Sequence, residues 1–238
     1  MKFSELNEKE FEEFAKKNEE ITFHQTKEWA ALKKGNGWES YYVGLKEKNK
    51  IKAAALILAK EVPIVKKKMF YSPRGFLIDY QDKKLLKKFT EEIKKFAKEK
   101  KAIFIKIDPY VMYQERDING DIVKDGKENK AVVQNLKDLG YKHFGFNTMQ
   151  DTLQPRWMHT ITTENKTIED IMKDMDPKTR QILRKNERLG VKVREIKRKE
   201  IPIFKDIMQH TGERRDFIDR PLYGWRVRVD QRHRRKNH

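Results

Sequence analysis

The sequence predicts a mixed α/β (α+β) chain, and three stretches carry that expectation. Residues 82–100 place Leu85, Phe89, Ile93 and Phe96 at spacings of four, four and three among lysines and glutamates, the stripe of an amphipathic helix. The apolar run Ala102–Ile107 comes directly after it and ends at Asp108-Pro109, which suits a buried strand. Upstream, residues 41–45 and 51–58 flank Lys48-Asn49-Lys50 and read as a β-hairpin. Strand and helix periodicities interleaved in this way describe a sheet covered by helices.

The remaining elements can be taken in order. Phe11 and Phe14 stand at i, i+3 within a charged run that Asn7 can cap, predicting a first helix. Thr26 opens a second, with Trp29 and Leu32 on one face, and Gly35-Asn36-Gly37 stops it because glycine tolerates positive φ. A short strand is expected over 69–71. Asn119-Gly120, set between Asp117-Ile118 and Asp121-Ile122-Val123, signals a type I′ turn. A helix over about 128–139 should end at Gly140, with strands at 141–146, 157–162 and 191–196. Thr167 and Asp176 are expected to cap two short helices, the second opening on Pro177, and 201–208 reads as a further helix. A boundary near 147–156 divides the chain into a domain over 1–150 and the start of another over 151–222.

Residues 223–238 break the pattern. Through Leu222 the chain carries 38 lysines and 11 arginines, whereas the last sixteen residues carry five arginines and one lysine. So abrupt a switch points to a separate origin for this tail, such as a shifted reading frame. The alternative is a basic RNA-binding tail, although Trp225 and the Val227/Val229 alternation are unlike a flexible arm.

Composition narrows the class of protein. Hydrophobic residues make up 37% and charged residues 39%, enough for a core beneath a very polar surface. No apolar run approaches the ~20 residues that span a bilayer, and the first residues lack the apolar stretch of a signal peptide. Absence of cysteine excludes a disulfide framework and thiol catalysis and fits a reducing cytosol. The expectation is a cytoplasmic protein. Its formal charge of +18 attracts polyanions: nucleic acid, anionic lipid headgroups or diphosphate-bearing precursors. Charge alone does not choose among them, and lysine-rich faces also serve solubility.

Familiar catalytic constellations are missing. The histidines show no metal-ligand spacing. There is no Gly-x-Ser-x-Gly elbow and no Gly-x-x-x-x-Gly-Lys phosphate loop. The glycine-rich turn that grips coenzyme A is also absent, which disfavours an acetyl-CoA enzyme. Two segments remain. Tyr71-Ser72-Pro73-Arg74-Gly75 runs from a strand into a Pro/Gly turn. Ile107-Asp108-Pro109-Tyr110 places an acid at a strand end, where the following proline enforces extended backbone. Asp-Pro also serves simply to shape turns.

These segments, with Phe23-His24-Gln25-Thr26, Asp176-Pro177-Lys178-Thr179-Arg180, residues 186–191, Glu213-Arg214-Arg215 and Arg220-Pro221, resemble the Fem family of peptidoglycan-bridge aminoacyltransferases in order and spacing. The resemblance implies tandem acetyltransferase-like domains, the second incomplete here. It implies transfer of an amino acid from aminoacyl-tRNA to the stem-peptide amine of lipid II or its nucleotide-linked precursor, with no metal or organic cofactor. The anionic inner face of the plasma membrane is a further expected contact. Lys33 and Arg220 match the family cations that meet the precursor diphosphate, a pairing of point charge and planar fork. Asp108 matches an acid considered for proton handling. The reading from a different class is a sequence-independent RNA-binding protein without activity, which the charge alone motivates.

Overall fold

Residues 53–59 are apolar without interruption because they form the middle of the central strand of a sheet buried on both faces. The computed structural model describes residues 1–18, 21–146, 161 and 163–217. They fall into two compact units, one containing Met1–Phe144 and one containing Gly145–Leu222. In the first unit the strands are β1 (Lys2–Glu5), β2 (Glu39–Glu47), β3 (Lys50–Val62), β4 (Lys67–Ser72) and β5 (Ala102–Ile107), ordered as numbered. The first four are antiparallel neighbours, and β4 pairs with β5 in parallel. A parallel neighbour requires a crossover, and α3 (Lys83–Glu99) lies within it.

Alternation along β3 sends its side chains to two cores. Ala53, Ala55, Ile57 and Ala59 join Phe70 and the stripe of α3, in which Phe89 and Ile93 are fully buried. Ala54, Leu56 and Leu58 join Tyr71 beneath α1 (Glu8–Ala15) and α2 (Lys27–Lys34). Each large apolar side chain buried this completely contributes roughly 1.5–3 kcal/mol, so the α3 stripe is a principal stabiliser of the unit. Asn7 and Thr26 cap α1 and α2 as expected, Asn7 in a reciprocal capping box with Glu10, and Asp82 caps α3.

Several expectations are corrected. β1 was not legible, yet it pairs along β2, and its Phe3 meets Phe89 and Phe96 at 6.1 and 5.9 Å. β5 is not a buried strand: Ile103 and Phe104 are about half exposed because no described strand covers its outer edge. The hairpin loop contracts to Lys48-Asn49, both at positive φ, since Lys50 already pairs with Glu47. Asn119-Gly120 does not form a type I′ turn. Only Gly120 takes positive φ, because the Asp117 carboxylate accepts from the Asn119 and Asp121 N–H groups and sets its own bend.

Two expected strands, 141–146 and 191–196, are absent for one shared reason. The helix α4 (Lys130–Asp138) ends with Gly140 at φ +88, and the Tyr141 N–H donates to the Leu136 carbonyl. The helix α6 (Pro177–Arg188) ends identically, with Gly190 at φ +70 and the Val191 N–H donating to Asn186. In both cases the first residue of the expected strand is committed to a helix terminus, and no described strand pairs with residues 142–146 or 192–196. The strand expected at 157–162 falls almost wholly outside the described residues.

The second unit holds α5 (Ile168–Asp174), α6 and α7 (Ile201–Arg215). Thr167 and Asp176 cap the first two as expected. Arg180 reaches back to the carbonyls of Met172 and Lys173 at 3.1 and 2.8 Å, so it satisfies the end of α5. No helix among the described residues is long and apolar enough to cross a membrane.

Candidate functional site

The parallel pairing of β4 and β5, with Ser72 opposite Ile107, brings together the two segments that the sequence singled out. At their carboxyl ends the chain turns through Arg74 and Gly75, both at positive φ. Ser72 Oγ and Gln25 Nε2 donate to the Gly75 carbonyl at 2.9 and 3.4 Å. A Cβ on Gly75 would lie 2.3 Å from the Tyr80 hydroxyl and 2.8 Å from Pro109 Cα, so only glycine fits. The Tyr80 hydroxyl accepts the Phe76 N–H at 2.6 Å, tying the turn to the core.

Asp108 is anchored against this turn. Its Oδ1 accepts the Arg74 N–H at 2.8 Å, and the Tyr110 N–H returns a bond to the Arg74 carbonyl at 3.1 Å. Oδ2 is buried and accepts no hydrogen bond from a described residue. Burial raises the carboxyl above its ordinary range, opposed by the Arg74 N–H, the nearby Tyr71 hydroxyl and the Arg74 charge. Burial, then the negative charge of Asp108, raises Tyr71 in turn and keeps its phenol protonated. The Arg74 guanidinium stacks on Tyr110 at 5.0 Å. The result is a half-buried carboxylate, one oxygen anchored and the other buried without a hydrogen bond, at the end of a parallel strand pair, a position where α/β sheets place ligands.

Lys33 belongs to a second cluster. The α2 helix ends with the Gly37 and Trp38 N–H groups bonded to the Lys34 and Lys33 carbonyls, with Gly37 at φ +76. That turn folds Trp38 back over Lys33, while Trp29 sits one helical turn before it. The Lys33 ammonium lies 4.9 Å from the Trp29 ring and 5.8 Å from the Trp38 ring, and Lys60 lies 5.6 Å from Trp38. Two ammonium groups therefore share one indole. Trp29 also contacts His24 at 4.6 Å, and the next residue, Gln25, reaches Gly75, so one short 3-10 turn links the clusters.

Arg220, expected as the partner of Lys33, lies outside the described residues. Sequence reasoning missed Trp38 and Lys60 as neighbours of Lys33. The spacing Trp29-x-x-x-Lys33 signalled Trp29 alone, since i and i+4 share a helix face. Among the described residues no group of three or more His, Asp or Glu is arranged to hold a metal ion.

A Fem-like order of motifs, a mixed α/β fold and an acid at the end of the β4–β5 pair converge on one family. The chain belongs to the FemAB family, which it matches over residues 6–225. It is 37% identical over 223 residues to the aminoacyltransferase FemA of Staphylococcus epidermidis, covering 92% of this chain and 53% of that protein. It is 36% identical over 222 residues to FemA of Staphylococcus aureus strain MW2, covering 92% and 52%. Among solved structures it is similar to FemX, with a TM-score of 0.79 and 29% identity over 97% of this chain and 54% of that one. The chain thus spans about half the length of the curated relatives it matches.

Proposed function

We propose that the protein acts in tRNA-dependent aminoacyl transfer, adding an amino acid to the stem-peptide amine of a peptidoglycan precursor. The observation that carries this reading is the likeness to FemA along 92% of the chain. In this scheme Lys33, helped by Lys60, holds the precursor diphosphate. The acceptor amine attacks the carbonyl carbon of the aminoacyl ester, and the Asp108 carboxylate takes the proton that the amine loses. The tetrahedral intermediate then expels the 3′ ribose oxygen of the tRNA, which takes that proton back from Asp108 and leaves as the hydroxyl, so the amide forms as the ester bond breaks. An aminoacyl ester is already activated, so orientation of the two substrates supplies much of the acceleration. The positive charge serves the tRNA phosphates.

On this reading residues 1–150 form an acceptor-binding domain and residues 151–222 begin a second. The protein works at the inner face of the plasma membrane when the acceptor is lipid-linked. Incubation with aminoacyl-tRNA and a precursor, followed by mass spectrometry, tests the reading. The expected product is the precursor heavier by one aminoacyl residue. Tight binding of tRNA with no binding of the precursor would instead favour the non-enzymatic RNA-binding reading that the +18 charge motivates.

A further inference from the structure

The loop between β3 and β4 has no part in either cluster, yet it is built against local preference. Pro63, Ile64 and Val65 form a tight turn in which the Val65 N–H donates to the Pro63 carbonyl at 3.0 Å and Ile64 takes φ +78. A three-residue turn with a positive φ at its centre is rare and strained, and a β-branched residue in that region is an outlier. Among the described residues no burial of the turn's own side chains offsets that strain. The Ile64 side chain is 99% exposed and Val65 53% exposed. Lys66, Lys67 and Lys68 come next, and Lys68 binds the Lys101 carbonyl through its backbone, adding Lys101 to the same rim. Glu39 pairs with Lys68 at 2.6 Å and Glu5 with Lys100 at 2.9 Å. Glu61 and Glu99 border the rim as well. Lys66, Lys67 and Lys101 form no ion pair with a described residue.

We propose that this loop docks the protein on an anionic bilayer, with Ile64 and Val65 entering the headgroup region and the unpaired lysines meeting lipid phosphates. An aliphatic tip beside lysines complements such a surface in both respects. RNA would call for aromatic or arginine stacking, and residues 63–68 contain neither. The placement deepens the proposed function and rests on it in one respect. Lys60, which shares Trp38 with Lys33, lies three residues before Pro63, so the proposed diphosphate cations stand at the docked end of the sheet. Lys60 lies opposite Met69, and three residue steps of β4 lead from there to Ser72 beside the Asp108 end, roughly 10 Å along the strand at ~3.3 Å per residue. A lipid-linked precursor would span that distance from diphosphate to stem-peptide amine.

Flotation of the whole chain with vesicles of phosphatidylcholine, alone or mixed with phosphatidylglycerol, tests the loop. The chain is expected to float with the mixed vesicles only and to be released by salt. The pair Ile64→Asp and Val65→Asp should lower the bound fraction by about tenfold. Ile64→Gly relaxes the backbone while removing the side chain, so it should weaken binding at equal or higher melting temperature. No flotation of the parent, or flotation of these variants equal to the parent's, would overturn the proposal. So would loss of tRNA affinity in step with loss of vesicle binding, which would make the loop a nucleic-acid surface. A water-soluble, nucleotide-linked acceptor reports on the transfer reading separately, and the loop variants should leave its binding unchanged.

Discussion

At the scale of single residues, Asp108 is where the fold meets the proposed chemistry. Its carboxyl is raised by burial, so ionising it opposes folding. A carboxyl with a raised folded pKa lowers stability as pH climbs past its unfolded value, and the loss is complete above its folded value. Asp108→Asn keeps an oxygen for the Arg74 N–H and removes that charge. The variant should gain in melting temperature relative to the parent between acidic and neutral pH, while turnover falls by about 10²-fold if Asp108 is the base. Melting curves across pH, set beside initial rates, separate the two effects. Gly75→Ala should instead destabilise by roughly 1–3 kcal/mol, since it adds a methyl into Tyr80 and Pro109 at a positive φ; chemical denaturation measures it. Asp108 was visible in the sequence through the proline that comes after it, whereas the Trp29–Lys33–Trp38 stack was not. Trp38 reaches Lys33 only through the chain reversal at Gly37, which no periodicity reports.

Among the elements, α3 and β3 were the most legible because burial on a fixed period leaves a pattern in composition. Phe89→Ala should therefore cost about 3–5 kcal/mol, seen as a lower denaturation midpoint with an unchanged slope. The failures have a physical source. A strand exists through its partner's hydrogen bonds, and these are not written in its own residues. Four residues at the N-terminus were too short to register alone, yet β2 offers an edge and β1 takes it. Residues 191–196 alternate acceptably, but Val191 is committed to the end of α6 and Val193 is 96% exposed. The relatives are about twice as long as this chain. Coexpressing the remaining half of a relative should bring new backbone protection to 192–196 in hydrogen exchange; unchanged exchange there would mean that this segment is not a strand in the family fold.

For the whole molecule, burial divides the two units. The first packs two apolar layers on its sheet, whereas α5 and α6 bury no side chain completely. Amide exchange should accordingly be slowest in β3 and α3 and much faster throughout α6. Lys33 and Asp108, the residues of the proposed chemistry, both reside in the better-packed unit. On the proposed function, this unit recognises a peptidoglycan precursor through its diphosphate. Calorimetric titration of the chain with the nucleotide-linked precursor tests it directly. Saturable binding is expected, weakened by about tenfold or more in Lys33→Ala, the loss of ~1.5–3 kcal/mol that accompanies removal of a bond to a charged group. Binding that Lys33→Ala leaves untouched, or no binding by the folded parent, would contradict the claim.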